Sequence, residues 1–95
     1  MNNEVTSVEG RLQNGQQAVG TTRLALSGDV RLARGVTLLA LAANTGIVYV
    51  GGPEVTATSG YPLVAGATLF VPARLVSQIN LVASLAAQNV AWVAV

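Results

Sequence analysis

The sequence predicts an all-β fold: an antiparallel, jelly-roll-like β-sandwich preceded by a polar, extended N-terminal arm. Short apolar or alternating segments recur about every eight to twelve residues, and glycine or proline turns separate them, which is typical of a sandwich. The 95 residues are enough for one domain with a single hydrophobic core. We therefore assign Met1–Gly20 to the arm and Thr21–Val95 to the sandwich.

The segment Val36–Gly52 is expected to be the central hairpin of this sandwich. Val36–Ala43 is apolar on both faces, which favours a strand buried on both sides. The Asn-Thr-Gly sequence that follows suits a three-residue hairpin loop, so that Ile47–Val50 would return antiparallel. One face of the hairpin should then meet the opposing sheet, and the other should meet a second subunit or a covering segment.

Six further strands are predicted around this hairpin from alternation and turn signals. They are Thr21–Ser27, Val30–Ala33, Val55–Thr58, Leu63–Val64, Ala67–Val71 and Val90–Val95. The pattern of Pro72–Asn89 is compatible with two structures. Its apolar residues fall at helical spacing, but Ile79, Leu81 and Ala83 also alternate as in a strand.

The low charge content is the main indication of function. Charged residues make up 9% of the chain, whereas an ordinary soluble domain has about 25%. Beyond Gly35 only Glu54 and Arg74 are charged. A contiguous apolar surface usually marks an interface, so we expect sister subunits or a partner to cover much of this surface. The alternative is a monomer whose surface is made of Thr, Ser, Asn and Gln side chains.

Membrane and nucleic-acid partners are not expected. The apolar runs are interrupted before they reach the roughly 20 residues that a membrane-spanning helix needs. The polar N-terminal stretch predicts no signal peptide. A net charge of +1 gives no electrostatic basis for binding nucleic acid.

The residue types that carry catalysis are scarce. The chain has no cysteine and no histidine, so it lacks thiolate chemistry, the commonest general base and the commonest metal ligand. Its carboxylates are Glu4, Glu9, Asp29 and Glu54, and no pair of them is expected to be held at catalytic separation. We predict no enzyme activity, no cofactor and no metal site. The aromatic residues leave one alternative, a small carbohydrate-binding module that uses Tyr49, Tyr61 or Trp92.

Fold-forming residues recur in a recognisable order over the last two-thirds of the chain. They are Asn44, Gly46, Val48–Gly51, Val55, Thr56, Gly60, Pro62, Leu63, Gly66 and Trp92. This order resembles that of small virion proteins of tailed bacteriophages, among them capsid decoration (cement) proteins, head-fibre proteins and some tail components. The family pattern has a strand near Ile79–Ala83 and a turn near Ala86–Gln88, which favours a strand in the ambiguous segment. The arm lies outside the resemblance.

The resemblance implies a structural protein at the virion capsid surface, present in the host cytoplasm during assembly. It would bind the major capsid protein as a homo-oligomer and clamp neighbouring capsid subunits. A trimer is expected because a capsid offers three-fold positions. The capsid-contact candidates are Val5, Val8, Arg11 and Leu12, and the subunit-interface candidates are Leu39, Leu41 and Phe70. A tail or head-fibre component is the alternative virion role.

Overall fold

A computed structural model describes residues 12–27 and 31–95. In this part of the chain, eight strands form two packed four-stranded antiparallel sheets, so the predicted all-β sandwich is confirmed. The strands are β1 (Gln13–Val19), β2 (Leu24–Ala25), β3 (Gly35–Ala40), β4 (Val48–Gly51), β5 (Tyr61–Leu63), β6 (Thr68–Pro72), β7 (Asn80–Ala83) and β8 (Gln88–Ala94).

The strands pair in a nested order. Sheet I has the order β1-β8-β3-β6, and sheet II has the order β2-β7-β4-β5. The first described strand therefore lies beside the last, the second beside the seventh, the third beside the sixth and the fourth beside the fifth. Both halves of the chain consequently contribute strands to both sheets.

The core lies between the two sheets and is built from alternate strand residues. In sheet I, Val36, Leu38 and Ala40 of β3 are fully buried, and so is Val90 of β8. Sheet II contributes an inner set in the same way, made of Val48, Val50, Leu63 and Leu81. Burying a valine or leucine side chain contributes roughly 1.5–3 kcal/mol. The burial of these inward-facing side chains is therefore the main stabilising contribution to the fold.

The predicted pairing of β3 with β4 is wrong. β3 lies in sheet I between β8 and β6, and β4 lies in sheet II between β7 and β5. The chain therefore crosses from one sheet to the other through residues 41–47. A turn sequence between two apolar strands specifies a change of direction, but it does not specify which sheet the second strand joins.

Two side chains near the start of β8 hold this crossing. Gln88 is buried, and its Oε1 accepts hydrogen bonds from the backbone nitrogens of Thr45 (2.9 Å) and Gly46 (2.8 Å). Its Nε2 donates to the carbonyl oxygen of Ala86 at 2.8 Å. Asn44 makes a reciprocal pair with the backbone of Asn89, one bond to its carbonyl oxygen and one from its nitrogen, both at 2.9 Å. The Asn44 amide thus takes the place of a strand residue beside β8 after β3 has ended.

Part of the predicted arm belongs to the sandwich. Gln13–Val19 forms β1, which pairs with β8 at the edge of sheet I, so the sandwich begins at Gln13 and not at Thr21. Residues 1–11, which contain the rest of the predicted arm, lie outside the described residues.

Other predicted elements differ in extent. Val55–Thr58 is part of a loop and not a strand. Thr21–Ser27 contains only the two-residue strand β2. Of the predicted strand Val30–Ala33, Val30 lies outside the described residues, and among the other three residues only Arg31 forms a bridge, with Leu75. In the ambiguous segment, a single 3-10 turn at Val76–Gln78 precedes strand β7, so the strand prediction there is confirmed.

Replacing Gln88 by alanine should destabilise the fold by about 2–3 kcal/mol, because two backbone nitrogens of the crossing lose their acceptor and a buried void remains. Equilibrium denaturant unfolding measures the change. Asn89→Ala is the matched control: the neighbouring residue is exposed and takes part in the crossing through its backbone, so its effect should stay within about 0.5 kcal/mol. Equal losses in the two variants would contradict the role of Gln88.

Candidate interaction surface

The outer faces of the two sheets differ, because the described residues cover only one of them. The loop of residues 52–60 folds back over sheet II, where Val55 is buried. A Cβ atom at Gly60 would lie 2.6 Å from both the Tyr49 Cβ and the Val55 Cγ2. Glycine at this position therefore allows the loop to pack against the sheet. Val82, at the centre of β7 and paired with Tyr49, is buried as well.

Hydrogen bonds within the loop keep it in this position. The Ser59 Oγ accepts from the Thr56 nitrogen at 3.0 Å, and the Thr56 carbonyl oxygen accepts from the Gly60 nitrogen at 2.9 Å. The Val55 nitrogen donates to the Gly52 carbonyl oxygen at 3.1 Å. Sheet II therefore has its own covering segment, which is one of the two solutions expected for a sheet with two apolar faces.

The outer face of sheet I has no such cover among the described residues. The strand registers place its side chains in rows that cross all four strands. One row is Asn14, Val93, Thr37 and Phe70, and the next is Gln16, Ala91, Leu39 and Thr68. We call these eight residues the bare face. Phe70 is 52% exposed and Val93 39% exposed, and both flank Thr37 on β3.

No residue of the bare face is charged. The charged residues of the described part of the chain, all exposed, lie outside its eight strands: Arg23, Arg31, Arg34, Glu54 and Arg74. An exposed sheet face normally carries charged side chains that keep it in water. Four of the eight residues of the bare face are polar, and its lack of charge together with the exposed Phe70 and Val93 is typical of the centre of a protein interface.

The sequence-predicted interface residues are brought together in part. Leu39 and Phe70 both lie on the bare face, in neighbouring rows. Leu41 follows β3 at the crossing, where its nitrogen donates to the Asn89 carbonyl oxygen at 3.1 Å, and its side chain is half-buried. Val93 was not singled out from the sequence, although the alternation of the last strand separates it from Trp92.

Of the predicted capsid contacts, only Leu12 is described. It directly precedes β1 and is 72% exposed, the largest exposed fraction among the large apolar side chains of the described residues. Val5, Val8 and Arg11 lie outside the described residues.

The aromatic residues do not form one stacking platform. Trp92 is half-buried on the inner face of sheet I, where a Cβ at Gly15 would lie 2.9 Å from its ring, whereas Phe70 is on the outer face. Tyr49 is half-buried next to Gly60, and Tyr61 is exposed at the rim of a largely apolar hollow of about 500 Å³. The geometry therefore offers no surface on which two rings could stack on one sugar.

The described residues also hold no group of three or more histidine, cysteine, aspartate or glutamate side chains that could bind a metal ion. Within the same residues, no helix has the length and hydropathy that a membrane crossing requires. The bare face, which is uncharged and exposes apolar side chains, is consequently the candidate interaction surface among the described residues.

Compared with models of protein families, with curated proteins and with solved structures, the chain has no match.

Replacing Val55 by alanine should lower the free energy of unfolding by about 2 kcal/mol, because the loop loses its buried contact with sheet II. Glu54→Ala changes the adjacent, exposed residue and should have an effect within about 0.5 kcal/mol. Denaturant titration of both variants compares them. If Val55→Ala is as stable as the unmodified chain, the loop does not cover the sheet.

Proposed function

We propose that this chain is a structural, non-enzymatic virion protein: a decoration (cement) protein that binds the outer capsid surface of a tailed bacteriophage as a homo-oligomer. The observation that carries this function is the uncharged bare face of sheet I, which none of the described residues outside that sheet covers. The resemblance of the segment from Val36 to Val95 to small virion proteins supplies the context. The chain folds into a jelly-roll-like sandwich in this proposal, and the nested pairing of its strands supports that assignment.

The bare face is suited to a contact between subunits. Sheet I has four strands, and its β3 has six residues. With strands about 4.8 Å apart and a rise of about 3.4 Å per residue, the face covers roughly 400 Å². A stable interface between two proteins usually buries about 800 Å² on each partner. One bare face therefore provides about half of what a stable pair requires.

A small contact surface fits a protein that works in many linked copies. When one subunit of an oligomer is bound to a lattice, its linked neighbours bind at a high effective concentration, so modest individual contacts become strong together. We propose a trimer, since capsids present three-fold positions. The major capsid protein is the proposed partner, contacted by Leu12 and, in the preceding residues, by Val5, Val8 and Arg11.

Replacing Phe70 or Leu39 by lysine should dissociate the oligomer, because the substitution places charge in an interface that excludes it. Size-exclusion chromatography with light scattering should give at least the mass of three 9.7-kDa chains for the unmodified protein and a smaller mass for the variants. Val64→Lys is the matched control: it replaces a valine that is 54% exposed and lies outside the bare face. A monomer at micromolar concentration for the unmodified chain would contradict the oligomer.

The virion role is tested by electron microscopy of the source particle labelled with antibody against the purified chain. Labelling over the whole capsid surface is the expected result. A few labels at the tail or at isolated capsid sites would replace the decoration role with that of a tail or head-fibre component. No labelling, together with glycan binding that is lost in Tyr61→Ala, would favour the carbohydrate-binding alternative.

A further inference from the structure

We propose that two copies of this chain associate through the free edge of β1, in an antiparallel two-fold pairing that joins their sheets I into one eight-stranded sheet. This association joins backbone edges, so it requires no contact through the bare face and does not depend on the capsid role. It follows from a comparison of the four edge strands of the sandwich.

Three of the four edge strands are protected against pairing with another chain. A free edge presents unpaired backbone N–H and C=O groups, and proteins usually block it by shortening the strand or by placing proline or charge on it. β2 has two residues, and β5 has three with Pro62 at its centre. β6 has five and ends at Pro72.

The fourth edge strand, β1, has none of these protections. It has seven residues, QNGQQAV, without a charge or a proline. All seven pair with β8 in one continuous register, so no bulge interrupts the strand. No other described strand pairs with its second side.

The absence of charge favours a second copy of the same strand as the occupant. In a two-fold pair centred on Gln16, that residue faces itself, and Asn14 faces Ala18 of the other copy. A charged residue at the centre would face an identical charge, and like charges directly opposite each other are destabilising. Two glutamine amides, in contrast, can donate to and accept from each other.

This register also keeps the faces of the two sandwiches aligned. Asn14 and Gln16 belong to the bare face, and pairing them with even-numbered residues places both bare faces on the same side of the joined sheet. The joined surface is then twice as large, roughly 800 Å² by the strand spacings used above. The β1 pairing would thus supply the area that a single bare face lacks.

A cysteine at position 16 tests the pairing, and the chain has no cysteine of its own. Facing residues of antiparallel strands have Cα atoms about 4.5–5.5 Å apart, within the range of about 4.4–6.8 Å that a disulfide spans. Gln16→Cys should therefore form a disulfide-linked dimer under mild oxidation. Ala18→Cys is the matched control, exposed on the same side of the same strand. Its two copies would be more than about 13 Å apart and should not link.

A mixture of Asn14→Cys and Ala18→Cys chains should give the mixed dimer, because these two positions face each other. If Gln16→Cys and Ala18→Cys link equally, or if neither links, the pairing is wrong. The double variant Gln16→Cys/Phe70→Lys separates this association from the proposed function: it should still link at β1 after the contact through the bare face has been lost.

Charges introduced at position 16 provide a second, independent test. Gln16→Lys alone and Gln16→Glu alone should each raise the dissociation constant of the β1 pair about fivefold, by placing like charges opposite each other. An equal mixture of the two variants should restore it. Circular dichroism verifies that each variant is folded. Dissociation constants equal to that of the unmodified chain in both single variants would overturn the proposed centre at Gln16.

Discussion

The crossing of the chain from sheet I to sheet II depends on the side chain of Gln88. At this point the backbone leaves both ladders, and the nitrogens of Thr45 and Gly46 need acceptors outside the strands. The Gln88 amide accepts from two of these nitrogens and donates back to its own turn, and it is almost completely buried. An unsatisfied buried polar group costs about 1–3 kcal/mol. A glutamine whose amide is fully used is therefore compatible with an otherwise apolar core.

The position of the crossing determines which faces of the strands are buried. Because β3 ends in sheet I and β4 begins in sheet II, the apolar inner sets of both strands face each other across the core. The outward-facing side chains of each sheet must then be covered separately or stay exposed to water. On sheet II the loop with Val55 provides a cover. On sheet I the described chain provides none, and the charged residues that could have kept this face in water are located in loops.

The alternation of side chains made much of this fold predictable. It placed Val36, Leu38 and Ala40 on one face, and all three are buried. It also placed Leu39 and Phe70 among exposed strand residues, where the strand registers join them on one surface. The pairing of β3 was not predictable in this way. The two strands lie in different sheets, and one contact that holds the crossing between them comes from Gln88, 43 residues away from Thr45 along the chain.

Strand β1 was missed for a different physical reason. A strand is recognised from its sequence by apolar residues at every second position. The inward positions of β1 before its last residue are Gln13, Gly15 and Gln17, so this periodicity is lacking. Trp92 occupies the space over Gly15, where a side chain would collide with its ring. The partner strand thus supplies the apolar surface that β1 lacks, and a sequence pattern read one strand at a time cannot reveal this.

The same uncharged composition links the face of sheet I with its edge. Charged side chains prevent the association of a β-protein both on open faces and at free edges. Here the bare face and the β1 edge of sheet I both lack charged side chains. The edge strands of sheet II, in contrast, are short or carry proline. Each surface alone is small, so the contacts that we propose through the face and through the edge are individually modest. Single contacts remain weak, and strong binding arises when several copies are held together, because effective concentration multiplies modest affinities.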